Sequence, residues 1–202
     1  MPGYGVDEDK RATLRRFAAL GAATSLAGVL ERPEGESDAR EAILGYLAAT
    51  PGAHFSKVRD DLGLGTGESQ HHLRRLLDAG AIESHRDGDY RRFFPAGRFS
   101  PFEQVALGDL RRETPRGMVI ELLRDPDAGA GDLADALDVS APTVSKHAAD
   151  LEEAGLLDRD GGYALTRPET LLVLLVRHAD SFDADAVAFA ADAAAHISVD
   201  GS

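Results

Sequence analysis

The sequence predicts a mainly α chain with small β-hairpins, in which one helical unit is built twice and flanked by further helices. Three observations predict it. Apolar residues recur at helical spacing along most of the chain. The sequence matches itself without gaps at an offset of 75 residues, with nine of the forty columns from 43 to 82 identical. Each copy then ends in a glycine-containing turn between short strand-like segments. At 202 residues and 43% hydrophobic content, two small domains with their own cores are affordable. The absence of cysteine excludes disulfide scaffolds, thiolate metal sites, iron–sulfur clusters and thiol nucleophiles.

Residues 1–36 are read as an N-terminal tail and helix. Arg15-Arg16-Phe17 and the run from Ala18 to Leu30 have some of the look of a twin-arginine export signal. That run of about 13 residues is too short to span a bilayer, and the Phe stands one place early for a signal. The expectation is an amphipathic or buried helix that packs on the first domain or on a partner chain.

The first copy occupies 37–98. Ser37 is the expected N-cap of a helix to Thr50, with Ile43, Leu44 and Leu47 on one face. Pro51-Gly52 breaks it. A short helix follows at about 56–62 with Val58 and Leu62 inward, then a longer one at about 66–79 with Leu73, Leu76 and Leu77 inward. Gly80 is the natural stop. Ala81–His85 and Tyr90–Phe94 flank Asp87-Gly88, a strong hairpin signal.

The second copy lies within 99–166, after a linker helix expected from Pro101 to Arg112 with a break near Pro115. Met118, Val119 and Leu122 fall on Ile43, Leu44 and Leu47, His147 on His72, and Ala154-Gly155 on Ala79-Gly80. Past that point the second copy is two residues shorter, and Asp160-Gly161-Gly162-Tyr163 matches Asp87-Gly88-Asp89-Tyr90. Two copies fall short of a solenoid and indicate a tandem duplication. Three helices and a hairpin within about 60 residues make each copy a winged helix-turn-helix. The tail, 167–202, holds Leu171–Val176, apolar all round and so expected to be buried, and an alanine-rich helix from Phe182 to Ile197.

Charge divides the copies. The chain carries 22 Lys+Arg against 35 Asp+Glu, a net −13. Residues 37–98 hold nine acids and nine bases, whereas residues 99–202 hold twenty acids and eight bases. Only three of the bases are lysine, and aromatics are scarce at 6%, a balance expected of a halophilic protein. A strongly acidic total argues against nucleic acid, but its distribution leaves the first copy neutral.

The segment Leu64-Gly65-Thr66-Gly67-Glu68-Ser69-Gln70-His71-His72-Leu73-Arg74-Arg75-Leu76, followed by Ala79-Gly80-Ala81-Ile82, resembles the turn and recognition helix of archaeal winged-helix regulators, similar to the ArsR and MarR superfamilies. Val139-Ser140-Ala141-Pro142-Thr143-Val144-Ser145-Lys146-His147, with Leu151 and Ala154–Leu157, resembles them more closely. Two departures stand out. Ser69 occupies a place usually apolar, as Val144 is, and Ala148 stands where the first copy has Leu73.

The resemblance implies a cytoplasmic DNA-binding transcriptional regulator, a homodimer joined through terminal helices, with double-stranded DNA as partner and no membrane. A recognition helix offers its outward N-terminal residues to base edges. In the first copy these are Thr66, Glu68, Gln70, His71, Arg74 and Arg75, with Lys57 nearby. Arg86, Arg91 and Arg92 on the wing suit phosphates or a minor groove. In the second copy the candidates are Thr143, Ser145 and Lys146. Its wing has only Arg159, between Asp158 and Asp160. The first copy is therefore the expected reader.

These residues also admit other readings. Arginine clusters are often a solvated face. His72 and His147 are read as structural, and adjacent His71 and His72 cannot share a helix face. A metal site from His54, His71 and His85 has no supporting carboxylate–histidine spacing. Gly63-x-Gly65-x-Gly67 follows a helix, not a strand, and so reads as a helix-turn-helix connection, not a nucleotide loop. No catalytic constellation is visible, so neither enzyme activity, cofactor nor metal is expected. The competing function is an acidic tandem winged-helix module that docks proteins, as a chromosome-organising or transcription-assembly subunit, without reading DNA sequence. A mixed version gives DNA to the first copy and docking or dimerisation to the second.

Overall fold

The computed structural model describes residues 34–199; the expected helix within residues 11–30 lies outside them. The chain divides into two compact units between Ser100 and Pro101.

In the first unit α1 (Glu34–Ala49) is followed by β1 (Ala53–His54), α2 (Phe55–Asp61), α3 (Thr66–Asp78), β2 (Ile82–Asp87) and β3 (Tyr90–Pro95). α1 starts upstream of Ser37, which therefore lies in its first turn and does not cap it. Ala39, Ala42, Ile43, Tyr46 and Leu47 from α1 meet Val58 from α2, Leu62 just after it, Leu73 and Leu76 from α3, and Ile82 and Phe93 from the hairpin in one core. The three-residue and four-residue spacings put these side chains on single helix faces. Tyr46 places its ring in that core and donates its hydroxyl to Asp61 Oδ2 at 2.8 Å, tying α1 to the end of α2.

The sheet is antiparallel in the order β1-β3-β2. The hairpin turns between Asp87 and Tyr90, which face each other in register. Gly88, at φ 56°, takes the first central turn position, the one that needs a left-handed conformation in a tight hairpin. β1 was not anticipated. Two residues are too few to show alternation, and their strand character comes from pairing with Arg92 and Phe93 of β3.

The second unit contains α4 (Pro101–Leu110), α5 (Glu113–Arg124), α6 (Ala130–Ala136), α7 (Ala141–Glu153), β4 (Leu157–Asp158), β5 (Ala164–Leu165), α8 (Pro168–His178), a 3-10 turn (Ala179–Ser181) and α9 (Ala184–Val199). The expected break near Pro115 falls earlier, between Leu110 and Glu113. Pro115 sits in the first turn of α5, where a missing N–H costs no helical hydrogen bond. α3 and α7 are both 13 residues long and keep the offset of 75, so the duplication holds at the level of whole helices.

α8 is less buried than its composition suggested. It packs on α4, α5 and α9, which bury Leu171, Leu174 and Leu175 but leave Val173 on the uncovered side, 53% exposed. α9 begins at Ala184, leaving Phe182 in the preceding turn. There Arg111 donates to the Ser181 carbonyl at 2.5 Å and to its Oγ at 3.0 Å. Arg111 and Arg116 lie 4.4 and 5.8 Å from the Phe182 ring centroid. Arg116, nearly buried, also donates to the Leu110 carbonyl and pairs with Asp183. Burial holds its guanidinium below the usual range.

Candidate nucleic-acid interface

α3 presents the candidate site of the first unit. Its start is closed by Glu68, whose Oε2 accepts from the Gly65 N–H at 3.2 Å. Its end is closed by Gly80 at φ 65°, an arrangement only glycine adopts without strain. Ser69, His72, Leu73 and Leu76 form the buried face. That spacing turns Thr66, Gln70, His71, Arg74 and Arg75 to the exposed face, as the sequence predicted. Glu68 is half-buried and occupied with the cap, so its carboxylate is built into the helix start.

Lys57 is exposed on α2 but held 2.8 Å from Asp61. Beside it Arg59 bonds Asp60 at 2.7 Å, which holds the Asp60 carboxyl below its usual range. His54 caps α2, its Nδ1 accepting from the Lys57 N–H at 3.4 Å. Burial, then Arg92 and Lys57, hold its imidazole below the ordinary value of 6.5.

The wing divides its arginines. Arg86 and Arg91 are exposed; Arg86 Nε donates to the Gly88 carbonyl at 3.4 Å and Arg91 Nε to Ser84 Oγ at 2.9 Å. Arg92 does not join them. It lies on the central strand of the sheet, 3% exposed and enclosed by its bonds to Asp87 and to the Gly52 carbonyl. It is removed from the set of surface candidates. Tyr90, which the sequence reading passed over, is the exposed aromatic of the wing at 51%. Its position beside Asp87-Gly88 was the available signal.

In the second unit Ser140 caps α7. Its Oγ accepts from the Thr143 N–H at 3.3 Å and lies 2.8 Å from Thr143 Oγ1. Ser145 and Lys146 are exposed, Lys146 3.3 Å from Asp150. At the places of Arg74 and Arg75 stand Ala149 and Asp150. Arg159 in the shorter wing pairs with Glu152 at 3.2 Å. His72 and His147 both turn inward, and burial lowers the His147 imidazole. Among the described residues no group of three or more His, Asp or Glu is placed to hold a metal ion.

Each unit thus sets a 13-residue helix, preceded by a shorter one and followed by a hairpin, with a polar outer face. This defines a class, the tandem winged helix-turn-helix proteins. Residues 37–107 match a family described as an N-terminal HTH domain, and residues 116–159 match the bacterial regulatory protein, arsR family. The chain is a tandem helix-turn-helix regulator whose second domain is of the ArsR type, with DNA binding and transcription regulation as the role of that class. No curated protein and no solved structure matches the chain. No described helix is long and apolar enough to cross a membrane.

Proposed function

We propose that the protein is a cytoplasmic, sequence-specific transcriptional regulator that reads double-stranded DNA through its first domain. Thr66, Gln70 and His71 face base edges, Arg74 and Arg75 take guanine or phosphate, and Arg86 and Arg91 hold the backbone beside the wing. Lys57 adds a flanking charge, and Glu68 shapes the helix start rather than contacting a base.

The observation that carries this reading is the exchange of Arg74-Arg75 on one exposed helix face for Ala149-Asp150 on its copy. With Lys146 and Arg159 both drawn to carboxylates of their own unit, the second domain offers phosphate little net charge. Thr143, Ser145 and Lys146 make at most a secondary contact. The exposed Val173 and Val187 on α8 and α9 support a homodimer through the C-terminal helices. A two-fold dimer of this kind reads a pseudopalindrome with half-sites about 34–36 Å apart.

Selection of bound duplexes from a random pool tests the reading. It predicts enrichment of one motif by the wild type and loss of that motif in R74A/R75A. A pool that stays random, with a protein partner co-purifying, favours the docking module instead.

A further inference from the structure

Among the described residues of the first unit Arg92 is the most completely enclosed charge, and its neighbours tie the tip of the hairpin to the entry of the helix-turn-helix. Its Nε donates to Asp87, at the last position of β2 before the turn; the two side chains are 3% and 16% exposed. Its Nη1 donates at 3.1 Å to the carbonyl of Gly52, in the turn that leads from α1 into β1 and α2. Gly52 also donates its own N–H to the Phe93 carbonyl at 2.9 Å, so this turn is bonded to β3 by backbone and side chain together. The guanidinium lies 5.6 Å from the centroid of the exposed Tyr90 ring, which in turn stacks at 4.9 Å on His54, the cap of α2.

A buried arginine is expensive to desolvate, and is kept where its donors are matched in direction as well as charge. Here the planar fork spans two elements, the tip of the hairpin and the entry to the helix-turn-helix. The duplicated domain supplies a comparison within the same chain. With Asp160 and Tyr163 matching Asp87 and Tyr90, the place of Arg92 falls on Leu165 and that of Gly52 on Asp127. There the paired strands shrink from six residues to two.

We propose that Arg92, Asp87 and the Gly52 carbonyl form a clamp that positions the first wing against the helix-turn-helix, so that Arg86 and Arg91, paired on the other face of the hairpin, arrive at the DNA backbone in a preset position. Arg92 is a positioning residue and touches no DNA. The role in binding rests on the function proposed above, whereas the clamp itself does not.

The decisive variant is Asp87→Asn, which removes a negative charge from the wing and leaves every arginine in place. If Arg92 were a DNA contact restrained by Asp87, or if Asp87 merely repelled phosphate, D87N would bind duplex more tightly. The clamp requires the opposite, a loss of fivefold or more. The dependence of log K on log salt also flattens, because Arg86 and Arg91 lose their seats although no cation has been removed. In the free protein, amide exchange at residues 86–91 accelerates about tenfold while that of α3 is unchanged. R92K, which keeps the charge but cannot reach both partners in one plane, gives the same pattern in milder form. Tighter binding by D87N, or binding at the wild-type level and salt slope, overturns the positioning role. Unchanged wing exchange overturns the clamp. A wild type that retains no duplex refutes the positioning role together with the proposed function, and the exchange measurement then still decides the clamp.

Discussion

Ser69 in α3 and Val144 in α7 hold the same place in the two copies and are both completely buried, yet the Ser69 Oγ has no hydrogen-bond partner among the described residues. The apolar member of the pair shows what the site accommodates. A buried hydroxyl left unsatisfied costs about 1–3 kcal/mol. Ser69→Ala removes the polar atom without adding volume. It is expected to raise the stability of the first domain by about 1 kcal/mol, seen as a higher urea midpoint at unchanged slope. A lower midpoint would mean that the hydroxyl stabilises the fold.

The second unit carries a pH dependence of its own. Burial, reinforced by Arg111 and Arg177, pushes the His178 imidazole from 6.5 down to about 4. The unfolded chain therefore binds a proton that the folded one refuses. This contribution is complete above about 6.5 and is lost progressively as pH falls towards about 4. Denaturant midpoints of wild type and His178→Gln, compared at pH 7 and 5, are expected to show a smaller acid loss in the variant. Equal losses would remove His178 as a cause.

The C-terminal helices carry the proposed dimer. Val173 and Val187, on the two helices proposed to meet across it, are 53% and 42% exposed. Val173→Asp with Val187→Asp is expected to turn a sedimenting dimer into a monomer with unchanged far-ultraviolet circular dichroism. A wild type that sediments as a monomer at tens of micromolar would end the dimer proposal.

Much of the fold was legible because the relevant signals are local. Gly80 and Gly155, at φ 65° and 71°, mark the same stop after the same helix, and Pro51-Gly52 ends α1 where it was expected to end. Gly88 places the hairpin turn. What was not legible depends on partners distant in sequence. β1 exists through pairing with a strand some forty residues on. Arg92 looked like Arg91, and only its bonds to Asp87 and to Gly52, forty positions away, separate the enclosed arginine from the exposed one. Val173 fell to the converse error, since an unbroken apolar run says nothing of how many layers cover it. On the recognition helix the outward residues were legible because the buried ones follow a helical period.

The first domain is proposed to read DNA through its exposed arginines. The most direct test is a salt titration of duplex affinity for the wild type and for the variant R74A/R75A/R86A/R91A. A steep wild-type slope of log K against log salt is expected, lowered in the variant by roughly 0.9 for each phosphate-contacting arginine removed, with affinity falling to the non-specific level. Retention of the wild-type slope and affinity by that variant would contradict it.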